Sequence, residues 1–247
     1  MHTIFFQKND SLVRAFEVPQ GVTAFVGGGG KTTLMLRLAK ELSGAGERVI
    51  VTTTTHIFPP DGMDTLTNAR EADVRAALAK ENAVCLGTPS KQGKLAAPDL
   101  PVAVLADLAD YVLVEADGAR KLPLKAPAEH EPVIPEETKL VIAVAGLDGV
   151  GRVMEETVFR PELYAALTGG DTHAAVSEGD VARVLSHPDG QRKRVTGGMR
   201  YCVLLNKADD ARRQSAALKI AELLRQTGRV ERTVIAALGK TARETIS

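Results

Sequence analysis

Apolar residues in this chain gather in short runs, and the stretches between the runs carry helical spacing. Residues 22–26 form one such run after a Pro-Gln-Gly turn, and 31–42 follow with Leu34, Leu38 and Leu42 on one helical face. Gly44 and Gly46 close that helix, and the β-branched stretch 48–53 reads as the next strand. Asn68 reads as the N-cap of a helix reaching residue 80, and 83–86 returns as a strand. A helix over 100–109 then leads into a strand at 111–114. The wholly apolar run 140–145 is of the kind buried on both faces of a parallel sheet. Strand 201–205, helix 210–226 and strand 232–238 complete the alternation. This β-α-β order predicts an α/β fold whose mostly parallel sheet carries helices on both faces. Residues 146–200 break the rhythm. They offer helical patches at 161–167 and 181–186, a basic Arg192-Lys193-Arg194 and no convincing strand. A single domain over 1–247 with a small helical insertion or cap at about 146–200 is predicted. At the N-terminus, 3–6 and 13–18 are predicted to pair as an edge hairpin.

Composition narrows the function classes. Hydrophobic residues make up 44% and charged residues 25%, which is globular composition and argues against disorder. Lys plus Arg equals Asp plus Glu at 31 each, so no global field draws the chain to nucleic acid or to a membrane surface. With aromatics at 4% and no Trp, a base-stacking platform is also disfavoured. The start has neither a basic n-region nor a sustained apolar stretch, and a cytoplasmic protein is predicted. Cys85 and Cys202 both sit in apolar runs and read as buried free thiols.

The chemistry concentrates where the first strand meets the first long helix. Gly27, Gly28, Gly29 and Gly30 precede Lys31, Thr32 and Thr33. Glycines let backbone N–H groups converge on an anion, and the helix N-terminus adds partial positive charge. Lys31 is placed to reach the β- and γ-phosphates of a nucleoside triphosphate, and the Thr32 hydroxyl to ligate Mg²⁺. The whole is thus expected to be a P-loop NTPase. One departure matters: a full-length loop wants Gly at position 25, and this chain has Phe25. The loop reads as a shortened Gly-x-x-Gly-Lys-Thr-Thr, which resembles the ATP loop of the Mur-ligase family.

A second site is expected at the end of a neighbouring strand, where Glu115 and Asp117 precede Gly118. Alternation puts both acids on one side. Asp117 is assigned to Mg²⁺, and Glu115 to the metal shell or to orienting an attacking water. Thr54 and His56, after the second strand, are candidates for a switch or substrate contact. Further on, Asn206, Lys207 and Asp209 form an Asn-Lys-x-Asp pattern. In GTP-binding proteins that Asp accepts hydrogen bonds from guanine N1 and N2, which adenine does not offer. GTP is therefore favoured, with ATP left open by Phe25.

Residues 26–33, 51–56, 114–118, 122–132 (Leu-Pro-Leu-Lys-Ala-Pro-Ala-Glu-His-Glu-Pro), 146–148, 160–162 and 206–209 together resemble the YqeC family. The resemblance covers nearly the whole chain and rests most on 122–132. It implies a nucleotide-dependent accessory role in assembling or inserting the selenium-containing cofactor of molybdenum hydroxylases. Those hydroxylases, or their cofactor-assembly proteins, would then be partners. Within the shared segment Arg120, Lys121 and Lys125 suit an anionic substrate, and Arg152 or Arg160 an arginine finger on the γ-phosphate. Glu129, His130 and Glu131 read as a solvated turn rather than a metal site. Two rival functions stand beside an NTPase. One is an ATP-dependent kinase or ligase that activates a cofactor precursor, the other a non-catalytic, nucleotide-gated cofactor chaperone.

Overall fold

The computed structural model describes residues 2–7 and 10–239. Along the chain run β1 (His2–Phe5), α1 (Leu12–Phe16), β2 (Gly21–Gly27), α2 (Lys31–Gly44), β3 (Val49–Thr53), β4 (His56–Ile57), β5 (Asp64–Thr67), α3 (Glu71–Lys80) and β6 (Ala83–Pro89). Next come β7 (Leu95–Ala96), α4 (Val102–Leu108), β8 (Tyr111–Glu115), β9 (Leu124–Lys125), β10 (Thr138–Gly146), α5 (Met154–Thr157), β11 (Val158–Phe159), α6 (Pro161–Thr168), α7 (Glu178–Ser186), β12 (Arg200–Asn206), α8 (Ala211–Thr227) and β13 (Arg232–Ala236).

One sheet organises the molecule, in the order β1-β13-β12-β10-β2-β8-β3-β6-β7-β4, with β5 also on β6. Every pairing from β1 to β6 is parallel, and only the short β7 and β4 run antiparallel. Alternation along the central strands sends successive side chains to opposite faces. Phe25, Val51, Leu113 and Ile142 pack with α1 and α2 on one face. On the other, Val22, Ile50 and Val112 pack with α3 and α4, and Ala24, Val26, Val141 and Val203 with α5 to α8. Both faces of the central strands are therefore covered by helices, which is why these strands read as continuous apolar runs.

Two local expectations fail for identifiable reasons. The segment after Ser11 is a helix, not the second strand of a hairpin. Leu12, Ala15 and Phe16 recur at i, i+3 and i+4 and are buried, and the Ser11 hydroxyl accepts the Arg14 N–H at 3.0 Å. β1 instead adds in parallel to β13. Asn68 does not cap α3: it adopts left-handed φ of 50°, and the helix starts at Glu71 with the Asp73 carboxylate accepting the Arg70 N–H at 2.9 Å. Between β10 and β12 the chain forms α5, α6 and α7, plus the two-residue β11 that pairs with β9.

Adjacent strands β2 and β10 connect onward in opposite directions. α2 leads from β2 towards β3 over one face, and α5 to α7 lead from β10 towards β12 over the other. Such a reversal opens a crevice at the carboxyl ends of the strands. The glycine loop lies there.

Candidate functional site

Three of the four loop glycines have positive φ: Gly27 at 93°, Gly29 at 78° and Gly30 at 128°. A Cβ on Gly29 would lie 2.3 Å from the Gly146 nitrogen, and one on Gly28 would lie 2.7 Å from the Leu122 carbonyl. The loop is thus wedged between the end of β10 and the segment that follows Asp117. Its N–H groups divide into two sets. Gly27 donates to Asp117 Oδ2 at 3.0 Å, Gly28 to Val144 O at 2.9 Å and Gly29 to Leu122 O at 3.1 Å. The N–H groups of Gly30, Lys31, Thr32 and Thr33, at the start of α2, have no acceptor among the described residues.

Lys31 is buried at the centre. Its Nζ donates to Gly27 O at 2.6 Å and pairs with Asp117 Oδ1 at 3.1 Å and, more distantly, Glu115 at 3.9 Å. Burial opposes its charge, but Asp117 and Glu115 outweigh burial and hold the ammonium above its usual pKa. Thr32 is exposed, and its hydroxyl donates to Glu115 Oε2 at 2.7 Å. Burial pushes the Glu115 carboxyl upward, against the opposing pull of Lys31 and Thr32.

Asp117 sits among cations. It is fully buried, and its Oδ2 lies 3.0 Å from the Nζ of Lys125 as well as accepting the Gly27 N–H. The Lys125 side chain has no solvent exposure and also reaches Gly118 O at 2.6 Å and Glu131 Oε2 at 2.7 Å. Arg160, at the start of α6, donates to the same Glu131 oxygen at 2.6 Å. Three cations and three carboxylates therefore form one chain, Glu115–Lys31–Asp117–Lys125–Glu131–Arg160, from the glycine loop to the region between β10 and β12. Burial disfavours the charge on Glu131, yet Arg160 and Lys125 hold its carboxyl down at about 2.

A model of the YqeC family, described as YqeC protein, matches residues 23–162. Protein YqeC of Escherichia coli (strain K12) is 35% identical over 212 residues, covering 83% of each chain. This chain belongs to the YqeC family. The matched span opens inside β2 and closes in the first turn of α6, so it encloses the glycine loop, both acids at the end of β8 and the entire ion chain to Arg160.

The remaining candidates divide. Asn206 is drawn into the site: its Nδ2 donates to Gly29 O at 2.8 Å and its Oδ1 accepts the Leu238 N–H at 3.0 Å, which ties the glycine loop to the exit of β13. Lys207, at φ 65°, pairs with Asp148 at 2.6 Å. Asp209 is held by Arg213, one helical turn on, at 3.0 Å. Thr54 donates to Val133 O at 2.7 Å, and its N–H reaches Glu115 O at 3.2 Å, so it braces the acid strand through the backbone. His56 is exposed on the edge strand β4, paired with Ala96. Arg120 and Lys121 both adopt left-handed φ, and the Arg120 guanidinium lies 5.1 Å from the Phe159 ring. Arg152 pairs with Glu156 on the surface.

Sequence reasoning missed the burial of Lys125 and Glu131. The 129–131 trio splits: Glu129 and His130 are exposed, and Glu131 is buried on Lys125 and Arg160. A Lys and a Glu six residues apart, followed by Ala-Pro and by Pro respectively, were the available signal. Among the described residues no group of three His, Cys, Asp or Glu is arranged to hold a metal, and no helix is long and apolar enough to cross a membrane.

Proposed function

We propose that this protein binds a nucleoside triphosphate with Mg²⁺ on the loop formed by Gly27 to Thr33. It acts as a P-loop NTPase, with GTP as its nucleotide, in maturing the selenium-containing cofactor of molybdenum hydroxylases. The observation that carries the nucleotide reading is the start of α2. Four backbone N–H groups without acceptors among the described residues and a buried lysine lie at the carboxyl end of β2, which is what an oligophosphate needs. The role in cofactor maturation rests on what the resemblance to the YqeC family implies and not on the geometry of the site.

Thr32 and Glu115 suit the metal better than Asp117 does. A hydroxyl and a carboxylate 2.7 Å apart are hard oxygen donors of the kind Mg²⁺ takes, whereas Asp117 already faces two lysines and a backbone N–H. Bound there, Mg²⁺ would neutralise charge on the phosphate oxygens. Without nucleotide Asp117 holds Lys31 at the loop; on binding, phosphate oxygens replace the carboxylates as partners of its ammonium, and Asp117 keeps Lys125 and the Gly27 N–H. Asn206 supports the guanine assignment by fixing the base-side loop to Gly29, and guanine reaches Asp209 by displacing Arg213. One observation favours ATP and a kinase or ligase instead. Phe25 is fully buried within β2 opposite Glu115, so the phosphate loop is short.

Titration with fluorescent GTP and ATP separates these readings. On the GTP reading, Asp209→Ala abolishes the preference for GTP and Lys31→Ala abolishes binding of both. Equal affinities untouched by Asp209→Ala would overturn guanine, and full binding by Lys31→Ala would overturn the nucleotide site.

A further inference from the structure

At the opposite end of the sheet the N-terminal ends of β1, β12 and β13 open onto a cavity of about 580 Å³. It is lined by four arginines, Arg192, Arg200, Arg229 and Arg232, with Tyr201 and Glu231 among its other walls. β12 is seven residues long, so its two ends stand about 20 Å apart, and this cavity is separate from the glycine loop.

Its charge is not balanced. Arg200 forks onto Glu231, with bonds of 2.6–3.0 Å, and also contacts Glu17. Arg232 pairs with Glu17. Two acids thus serve two arginines. Arg192 and Arg229 have no carboxylate partner among the described residues: Arg229 reaches only the Ser186 carbonyl at 3.3 Å, and Arg192 lies 5.4 Å from the Tyr201 ring. The Nε atoms of Arg192 and Arg232 are moreover buried without an acceptor. The basic run 192–194 is split to this end. Lys193 and Arg194 turn away to the carbonyls of Ala128 and Glu129, and Arg192 alone faces the cavity.

We propose that this cavity is a binding site for a small organic oxyanion, a phosphate ester or polycarboxylate, gripped by Arg192 and Arg229. Guanidinium forks match such groups bidentately, and the volume lies within the range of small-molecule sites. The C-terminal end of α8 borders the cavity and its dipole opposes an anion, but it is a partial charge against two uncompensated whole ones. Gly197 and Gly198 on the rim have nothing near their Cβ positions, so the mouth is unobstructed there.

Calorimetric titration of the full chain with pyrophosphate, at fixed ionic strength, tests this. Two sites are expected in the unaltered protein. Arg192→Gln with Arg229→Gln should weaken one by about tenfold to a hundredfold, the effect of losing charge-assisted bonds, and leave the glycine-loop site intact. Lys31→Ala should do the reverse. Arg192→Lys with Arg229→Lys keeps the charge and should still lose affinity at the same site, which separates fork recognition from a general basic field. Citrate distinguishes the ligand's chemistry: binding that depends on the same two arginines points to a polycarboxylate, and pyrophosphate binding alone to a phosphate ester. The absence of any pyrophosphate site that the arginine substitutions weaken would overturn the proposal; a single site that they do weaken would count against the glycine-loop site instead. Urea unfolding of each variant guards against a trivial loss of fold.

Discussion

Replacing Glu131 by Gln removes one charge from the buried ion chain while keeping shape and one hydrogen-bonding oxygen. The side chain is 9% exposed, and its Oε2 takes Lys125 at 2.7 Å and Arg160 at 2.6 Å. Two independent routes give the cost. Holding a carboxyl at about 2, when its ordinary value is 4.5, corresponds to about 3 kcal/mol of stability at neutral pH. Removing one partner of a buried ion pair costs about 3–5 kcal/mol. The low end applies here, because Lys125 keeps Asp117 and Gly118 O, and Arg160 is 23% exposed and can turn to solvent. The pH dependence has a definite sign. The folded pKa lies below the unfolded one, so this stabilisation is complete above 4.5 and is lost as pH falls towards 2. Glutamine does not titrate. The gap between wild type and Glu131→Gln should therefore shrink from about 3 kcal/mol at pH 7 to about 1 kcal/mol at pH 3. Urea unfolding followed by far-UV circular dichroism measures it without Trp, which this chain lacks. A gap below 1 kcal/mol at pH 7, or one unchanged at pH 3, would refute the reasoning.

Other consequences are equally direct. Gly29→Ala puts a Cβ 2.3 Å from backbone at a positive φ and should cost more than about 3 kcal/mol, whereas Gly44→Ala, in the last turn of α2 with open space around it, should stabilise by about 0.5 kcal/mol; thermal unfolding of the pair decides. Arg213→Ala frees the Asp209 carboxylate and should tighten GTP severalfold without changing ATP affinity; unchanged GTP binding in the fluorescent titration would break the link between Asp209 and guanine. Cys85 and Cys202 are fully buried, and burial pushes both thiols up to about 12, so a thiol reagent at pH 8 should label them at the rate of unfolding rather than at once.

The strands were legible because each central one is buried on both faces and so appears as an apolar run; 140–145 and 201–205 both lie inside strands of the sheet. The missed elements are short. β4, β7, β9 and β11 have two residues each, too few for any period to register. The N-terminal hairpin misled because 13–18 carries apolar residues that suit either period, and the choice fell to the Ser11 cap and the burial of Phe16. At the site, Lys31 and Thr32 lie against Glu115 and Asp117. What could not be read was which charges lose their water. Lys125 and Glu131 look like solvated residues between prolines, and only the packing of β9, Phe159 and Arg160 around them makes them interior.

That distinction bears on how Asp117 is understood. Two carboxylates spaced i, i+2 at a strand end look equivalent, and spacing alone assigned the metal to the one farther along. Their surroundings are opposite. Glu115 holds the Thr32 hydroxyl at 2.7 Å and Lys31 only at 3.9 Å, while Asp117 lies between two ammonium groups at 3.0–3.1 Å and a backbone N–H. A divalent cation brought to Asp117 would have to break at least one buried lysine pair at 3.0–3.1 Å, leaving that lysine only its second carboxylate, which is costly in the interior. Brought to Glu115 it displaces the Thr32 hydroxyl, itself a good ligand, and a lysine no nearer than 3.9 Å. On the proposed function the arrival of nucleotide then keeps the ion chain balanced. Lys31 exchanges carboxylate for phosphate, Glu115 exchanges lysine for metal, and Asp117, retaining Lys125, remains paired throughout. Asp117→Asn should accordingly lower protein stability more than it weakens the apparent Mg²⁺ affinity, and Glu115→Gln the reverse. Denaturant unfolding and Mg²⁺ titration of nucleotide binding, run on both variants, distinguish that crossing pattern from two equivalent acids.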